Sequence, residues 1–191
     1  MRQASLFDPP PPPGPAGFRY GPEVVTEAEE TELARAIADL DLKPFAFRGY
    51  LGNRRTASFG WRYGFNGEGL QAAEEPPPFL VGLRDAAAHF AGLAPTRLVH
   101  VLVTEYAPGA GIGWHRDRPE FGEVVGVSLL SPCPFRLRRR EGSGWRRETV
   151  RLEPRSAYLL SGEVRRDWEH SIPPVDRLRY SVTFRSLAPR D

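Results

Sequence analysis

The 191-residue sequence predicts one mainly β domain, a sandwich or barrel buttressed on one side by helices. Three observations predict it. Glycine (19) and proline (20) are abundant, which favours turn-rich β structure over a helical bundle. Beyond Pro95, short apolar runs alternate with turns containing glycine or proline, the habit of sandwiches and barrels. Before Pro95, two stretches have helical spacing, so helices come first and strands follow. With 40% hydrophobic and 26% charged residues the chain can fill a core, and global disorder is excluded.

In chain order, residues 1–17 read as a tail. Gln3-Ala4-Ser5-Leu6-Phe7 runs into Pro9 to Pro13, Gly14 and Pro15, and a proline run without amide donors forms an extended, semi-rigid tether. Residues 18–188 form the domain, with helices and a recognition segment over 18–95 and the β core over 96–188. The first helix starts at the capping box Thr26-x-x-Glu29 and continues through Leu33, Ile37 and Leu40. The second spans about 78–90, with Phe79, Leu83, Ala87 and Phe90 on one face and Gly92 as its stop; His89 on it reads as a packing or surface histidine. Between the helices, Phe59-Gly60-Trp61-Arg62-Tyr63-Gly64-Phe65 is an aromatic, glycine-punctuated stretch suited to a lid, preceded by Arg54 and Arg55. Strands are expected at 98–106, 122–130, 135–139 paired with 145–152, 157–160 and 178–187.

Several classes are excluded at this point. No apolar run approaches the roughly 20 residues of a membrane helix, and the N-terminus lacks a secretory apolar core. A cytoplasmic monomer without membrane attachment is expected. The single cysteine, Cys133, precludes an internal disulfide and a multi-thiolate zinc site. The net charge of +2 hides an uneven layout. An acidic segment runs from Glu23 to Asp41, and an arginine-rich one from Pro134 to Arg166. All the basic residues except Lys43 are arginine, the side chain suited to carboxylate and phosphate forks.

The chemistry concentrates at Trp114-His115-Arg116-Asp117. Side chains two apart on an extended segment face the same way, so His115 and Asp117 can reach one metal ion. A lone His-x-Asp is common by chance; His170, past the 157–160 strand, supplies a third ligand. Two histidines and a carboxylate make the facial set of a non-haem Fe(II). On the last strand Arg179, Ser181, Thr183 and Arg185 alternate with apolar residues. Two arginines on a buried polar face need anions, either internal carboxylates or a dicarboxylate cosubstrate.

Val103-Thr104-Glu105-Tyr106-Ala107-Pro108-Gly109-Ala110, His115-x-Asp117, His170 and Arg179-Tyr180-Ser181-Val182-Thr183-Phe184-Arg185 together resemble the AlkB family of Fe(II)- and 2-oxoglutarate-dependent dioxygenases. The resemblance implies a double-stranded β-helix, or jelly-roll, core supported by helices. It implies Fe(II), 2-oxoglutarate and O2 as cofactors, with His115, Asp117 and His170 as iron ligands. Arg179 then matches the arginine on the distal carboxylate of 2-oxoglutarate, Arg185 the second arginine of the motif, and Tyr106 a tyrosine bonded to the cosubstrate. Thr104 and Ser181 stand where the family usually has asparagine. Pro119 stands where some members carry an acidic residue that contacts the base, and Glu120 follows it.

The expected activity is oxidative dealkylation of N-methylated bases of the 1-methyladenine or 3-methylcytosine type, as in DNA repair, with alkylated DNA or RNA as partner. The alternatives are a 2-oxoglutarate oxygenase acting on RNA bases or a protein side chain, and a non-catalytic nucleic-acid-binding module on the same fold. Trp61 and Tyr63 are candidates for stacking on a flipped base, with Glu120 and Arg138 as further substrate contacts. Arg136, Arg138 and Arg140 share one face of the 135–152 hairpin, a stripe that can track phosphates or lie solvated on an edge. The tail peptide Gln3–Phe7 resembles the docking peptide for the replicative sliding clamp, with the proline tether holding it clear of the domain.

Overall fold

The computed structural model describes residues 14–47, 50–64, 69–72 and 74–189. The tail peptide at 3–7 and the prolines at 9–13 lie outside them. Two antiparallel sheets face each other, and two helices cover the outer side of the larger one, a double-stranded β-helix with supporting helices.

Strand β1 (Phe18–Gly21) opens the domain, and helix α1 (Glu27–Ala38) follows. Its start is the predicted capping box. Thr26 Oγ1 accepts from the Glu29 amide at 3.2 Å, while the Glu29 carboxylate accepts from the Thr26 amide at 2.7 Å. Strands β2 (Lys43–Phe47), β3 (Tyr50–Gly64) and β4 (Gly69–Ala72) come next, then α2 (Phe79–Ala91), which ends at Gly92 in the left-handed region. Helix α2 buries Leu83 and Ala87 of the expected stripe together with Leu80 and Ala88, while Phe79 and Phe90 pack against the same core only partly buried.

The core strands are β5 (His100–Tyr106), β6 (Ile112–His115), β7 (Phe121–Leu129), β8 (Cys133–Glu141), β9 (Gly144–Leu152), β10 (Ala157–Leu160), β11 (Glu169–Ile172) and β12 (Arg179–Leu187), with a short helix α3 (Gly162–Asp167) before β11. The larger sheet runs β1-β10-β7-β12-β5-β3-β2, with β4 hydrogen-bonded to β3. The smaller runs β6-β11-β8-β9.

The sequence signal is weakest over β2 to β4. Glycines and arginines make a poor strand pattern, yet β3 pairs with β5 from Arg55 to Gly60 and then with β4 from Trp61 to Gly64. Gly60 sits where β3 changes partner. Its φ is 78°, and a Cβ there would lie 2.1 Å from the Val99 carbonyl oxygen, so only glycine fits.

Two apolar layers result. The outer one packs Leu33, Ile37, Leu80 and Leu83 of the helices against Val101, Val103, Val125, Val127, Val182 and Phe184. The inner one, between the sheets, holds Phe18, Tyr106, Phe135, Leu137, Leu152, Tyr158 and Trp168.

Gly126 on β7 faces Tyr158 on β10, and a Cβ at Gly126 would lie 2.3 Å from the tyrosine ring. The ring is held by Phe135, with centroids 4.6 Å apart. Gly126→Ala is therefore expected to destabilise the fold by about 1–3 kcal/mol through overpacking. A lowered urea midpoint at unchanged m-value would show it; an unchanged midpoint would mean that Tyr158 has room to move.

Candidate active site

Between the sheets lies a small cavity of about 50 Å³ that opens to solvent. His115, Asp117 and His170 line it together with Thr104, Tyr106, Ser181, Thr183 and Arg185. Pairing of the small sheet brings the two histidines together, because His115 on β6 is the register partner of His170 on β11. Their ring centroids are 4.2 Å apart, and His170 Nε2 is 3.6 Å from Asp117 Oδ2. Among the described residues, no three His, Cys, Asp or Glu side chains are drawn tightly enough to mark a metal site by themselves. These three share one cavity wall.

The donor set nevertheless has the protonation that a divalent metal requires. His115 Nδ1 is 2.9 Å from the Gly113 carbonyl. A carbonyl only accepts, so the proton is on Nδ1 and Nε2 keeps its lone pair. Burial lowers the pKa of His115, and burial with the neighbouring His115 pushes His170 down to about 3, so both rings are neutral at pH 7. Burial alone would raise the Asp117 carboxyl. The Arg185 guanidinium and the two histidines outweigh it and hold the group well below the usual carboxylate range. Two imidazoles and one carboxylate, with the only cysteine in the neighbouring apolar core, suit ferrous iron better than structural zinc.

Strand β12 carries the second half of the site. Its even-numbered residues Tyr180, Val182 and Phe184 enter the outer core, and Ser181, Thr183 and Arg185 face the cavity. Register sets Arg179 opposite Tyr106 and Ser181 opposite Thr104 on β5. The Arg179 side chain is wholly buried. Its Nε donates to Ser128 Oγ at 3.1 Å and its guanidinium lies 5.1 Å from the Tyr106 ring, while both terminal nitrogens lack a hydrogen-bond partner among the described residues. A buried guanidinium with two free terminal donors is a cradle for a carboxylate, so the donor chemistry fits 2-oxoglutarate.

Arg185, the second arginine of the motif, lines the cavity beside Asp117. Its Nε and one terminal nitrogen donate to Asp117 Oδ1 at 2.9 and 2.6 Å, and the other meets His100 Nδ1 at 3.2 Å. Arginine only donates, so His100 Nδ1 accepts and its Nε2–H donates to Ser58 Oγ, 3.1 Å away. Asp117 is thereby fixed through one oxygen, with Oδ2 turned towards His170.

Several site residues gave no sequence signal as such. Arg54 and Tyr158 line the cavity with Leu102, Ile112, Phe135 and Ile172. Arg165 on α3 is buried without a carboxylate partner among the described residues. It donates instead to the carbonyls of Asp117, Arg118, Phe121 and Gly122, tying down the turn that follows Asp117. Its place next to Arg166 in an arginine-rich stretch hid it.

Among the candidate substrate contacts, Trp61 is exposed on β3, and the side chain of Tyr63 lies outside the described residues. Neither Trp61 nor Glu120 lines the cavity, and one carboxylate oxygen of Glu120 is buried without a partner. Arg138 lies on the other face of the small sheet, paired with Glu169.

Residues 18–185 match the family model described as the 2OG-Fe(II) oxygenase superfamily. A protein of Arabidopsis thaliana named "Alkylated DNA repair protein ALKBH8 homolog" is 29% identical over 191 aligned residues, covering 86% of this chain and 54% of its own length. The "tRNA (carboxymethyluridine(34)-5-O)-methyltransferase ALKBH8" of Mus musculus is 24% identical over 182 residues, 90% of this chain and 26% of that protein. The chain thus spans about half or less of the length of these curated relatives. The solved structure of OsALKBH1 superposes with a TM-score of 0.66 at 18% identity, covering 89% of this chain and 96% of that one, a likeness of fold. No helix among the described residues is long and apolar enough to cross a membrane.

Two outcomes are expected. Arg165→Met leaves four carbonyls of the 117–122 turn without that donor and should cost about 2–4 kcal/mol of stability in urea unfolding, with Arg165→Lys losing less. An unchanged midpoint would exclude the tie. His100, enclosed by Ser58, Arg185 and the Phe121 ring near Asp117, is pushed down to about 3 by burial and then by Arg185. The unfolded chain therefore binds a proton below about pH 6.5 that the folded chain refuses. Stability should fall as pH drops from 7 to 5, and less steeply in His100→Gln; parallel pH profiles of the urea midpoint would refute this.

Proposed function

The chain belongs to the 2OG-Fe(II) oxygenase superfamily, in its AlkB-like part, and is an oxidoreductase; on that footing we propose that it oxidises a modified base in RNA, with His115, Asp117 and His170 as the ligands of ferrous iron. The observation that carries the cosubstrate assignment is the buried Arg179 with both terminal nitrogens free. Ferrous iron held by His115, Asp117 and His170 would supply the oxygen activation that couples decarboxylation of 2-oxoglutarate, to succinate and carbon dioxide, to insertion of an oxygen atom into a substrate C–H bond.

The protein's own groups position and shield. Arg179 grips the distal carboxylate of 2-oxoglutarate, over the ring of Tyr106. Thr104 and Ser181, opposite one another on the next rung, offer hydroxyls along the same wall. Arg185 holds Asp117 by one oxygen and leaves the other for the metal. The Gly113 carbonyl keeps the proton of His115 on Nδ1, away from the metal side. Leu102, Ile112, Phe135 and Ile172 keep bulk water from the reacting atoms.

One point favours RNA as the polymer, and a second speaks against bases of the 1-methyladenine or 3-methylcytosine type. A relative that aligns over most of this chain bears a tRNA activity in its name. Position 119 is proline and Glu120 does not line the cavity, so neither position supplies the acidic base contact that would suit 1-methyladenine or 3-methylcytosine. The Arabidopsis relative's name speaks of DNA repair, which makes DNA the comparison arm of the test.

Protein loaded anaerobically with Fe(II) should release succinate when given 2-oxoglutarate and oxygen, and should oxidise modified RNA faster than methylated DNA. His115→Ala should abolish both products. Arg179→Gln should raise the KM for 2-oxoglutarate about tenfold or more while iron binding persists. Faster turnover of 1-methyladenine or 3-methylcytosine in DNA would reinstate the repair activity. Absence of succinate from iron-bound protein would overturn the enzyme assignment.

A further inference from the structure

The β8–β9 hairpin sorts its charges by face. On the side turned towards α3, Arg139 pairs with Glu163 at 2.6 Å and with Glu141 at 3.6 Å, and Arg146 pairs with Glu148 at 2.9 Å. Those arginines are neutralised. The outer face of the small sheet is different. Arg136, Arg138 and Arg140 alternate along β8 with the buried Phe135 and Leu137, and Arg147 on β9 is the register partner of Arg138. Among the described residues, one carboxylate is paired with these four arginines, Glu169, bonded to Arg138 at 2.6 Å. Arg136 has only the hydroxyl of Ser171, and Arg140 and Arg147 have no carboxylate partner among the described residues. Like charges directly opposite on neighbouring strands destabilise a sheet, so this face carries an electrostatic cost that an anionic partner would relieve.

The array is also held in shape. The Arg138 guanidinium lies 4.4 Å from the ring of Trp114 and 4.0 Å from that of Trp145. Arg136 lies 5.2 Å from Trp114, and Arg140 5.5 Å from Trp145. A guanidinium stacked on an indole through its flat face keeps its in-plane N–H donors free for other partners, the chemistry that suits phosphate oxygens. Trp114 immediately precedes His115, so the array begins one residue from the candidate iron ligands but on the opposite side of the sheet.

We propose that this outer face, formed by Trp114, Arg136, Arg138, Arg140, Trp145 and Arg147, holds the phosphodiester backbone of a nucleic-acid strand outside the catalytic cavity. The choice of partner rests on the nucleic-acid reading of the cavity; the surface itself rests on the charge segregation. It fixes the substrate as a strand longer than the nucleotide in the cavity, with indole and guanidinium planes beside the backbone on which unpaired bases can stack.

The test is fluorescence anisotropy of a labelled oligouridylate with the full chain, over a series of salt concentrations. Arg140→Gln/Arg147→Gln should weaken binding about tenfold and flatten the dependence of log K on log salt by about 1.4, the change for two phosphate contacts on a single strand. Its thermal unfolding and its succinate release without nucleic acid should match the parent. Equal affinity and slope in the parent and the double variant would overturn the proposal, as would equal displacement of the oligonucleotide by polyglutamate at matched charge. Arginine-dependent binding without oxidation of modified RNA would keep the surface and remove the substrate assignment. Oxidation of RNA with the variant binding like the parent would do the reverse.

Discussion

The pleat of β12 is the constraint on which the rest depends. The strand lies between β7 and β5, hydrogen-bonded on both sides, and its side chains alternate between two environments that cannot be exchanged. Tyr180, Val182 and Phe184 complete the apolar layer beneath the helices, while Ser181, Thr183 and Arg185 face the cavity. A slip of one residue would push guanidiniums into that apolar layer and turn Phe184 into the polar gap. Burial of hydrocarbon therefore fixes the register, and the polar residues inherit their positions from it.

Around Asp117 the same economy operates with charge. A carboxylate removed from water survives as an anion because Arg185 donates twice to one of its oxygens, and the two histidines stay neutral because burial refuses them a second proton. Arg185 is oriented in turn by His100, and His100 by Ser58 on β3. Arg165 holds the backbone of the turn that carries Asp117 onwards to β7. The geometry of one candidate ligand thus depends on residues from β3, β5, α3 and β12, elements far apart in the chain.

The small sheet is two-sided in chemistry as well as in pleat. Its inner face presents His115 and His170 to the cavity and Phe135 and Leu137 to the core. Its outer face carries tryptophan and arginine in alternate positions of the same strands. One hairpin can therefore brace the site and offer a cationic exterior without either role disturbing the other.

The sequence by itself determined what local patterns can encode. The capping box at Thr26, the stop at Gly92 and the alternation of β12 are all decided within a few residues. The order of the His-x-Asp pair, His170 and the arginine strand was enough to assemble a candidate site from segments with no local contact. Tertiary structure decided the rest, because the deciding contacts join distant elements. The strand character of β3 depends on β5 and β4 as partners, since its glycines and arginines carry no strand pattern. That α2 buries Leu80 and Ala88 beside the expected Leu83 and Ala87 follows from how the helix lies on the apolar face of the sheet. Arg165 and His100 are ordinary polar residues until the fold surrounds them with carbonyls and with Arg185. Arg185 itself was legible as an anion-binding arginine, but which anion it meets, Asp117, was decided only when β12 was laid beside the turn that follows β6.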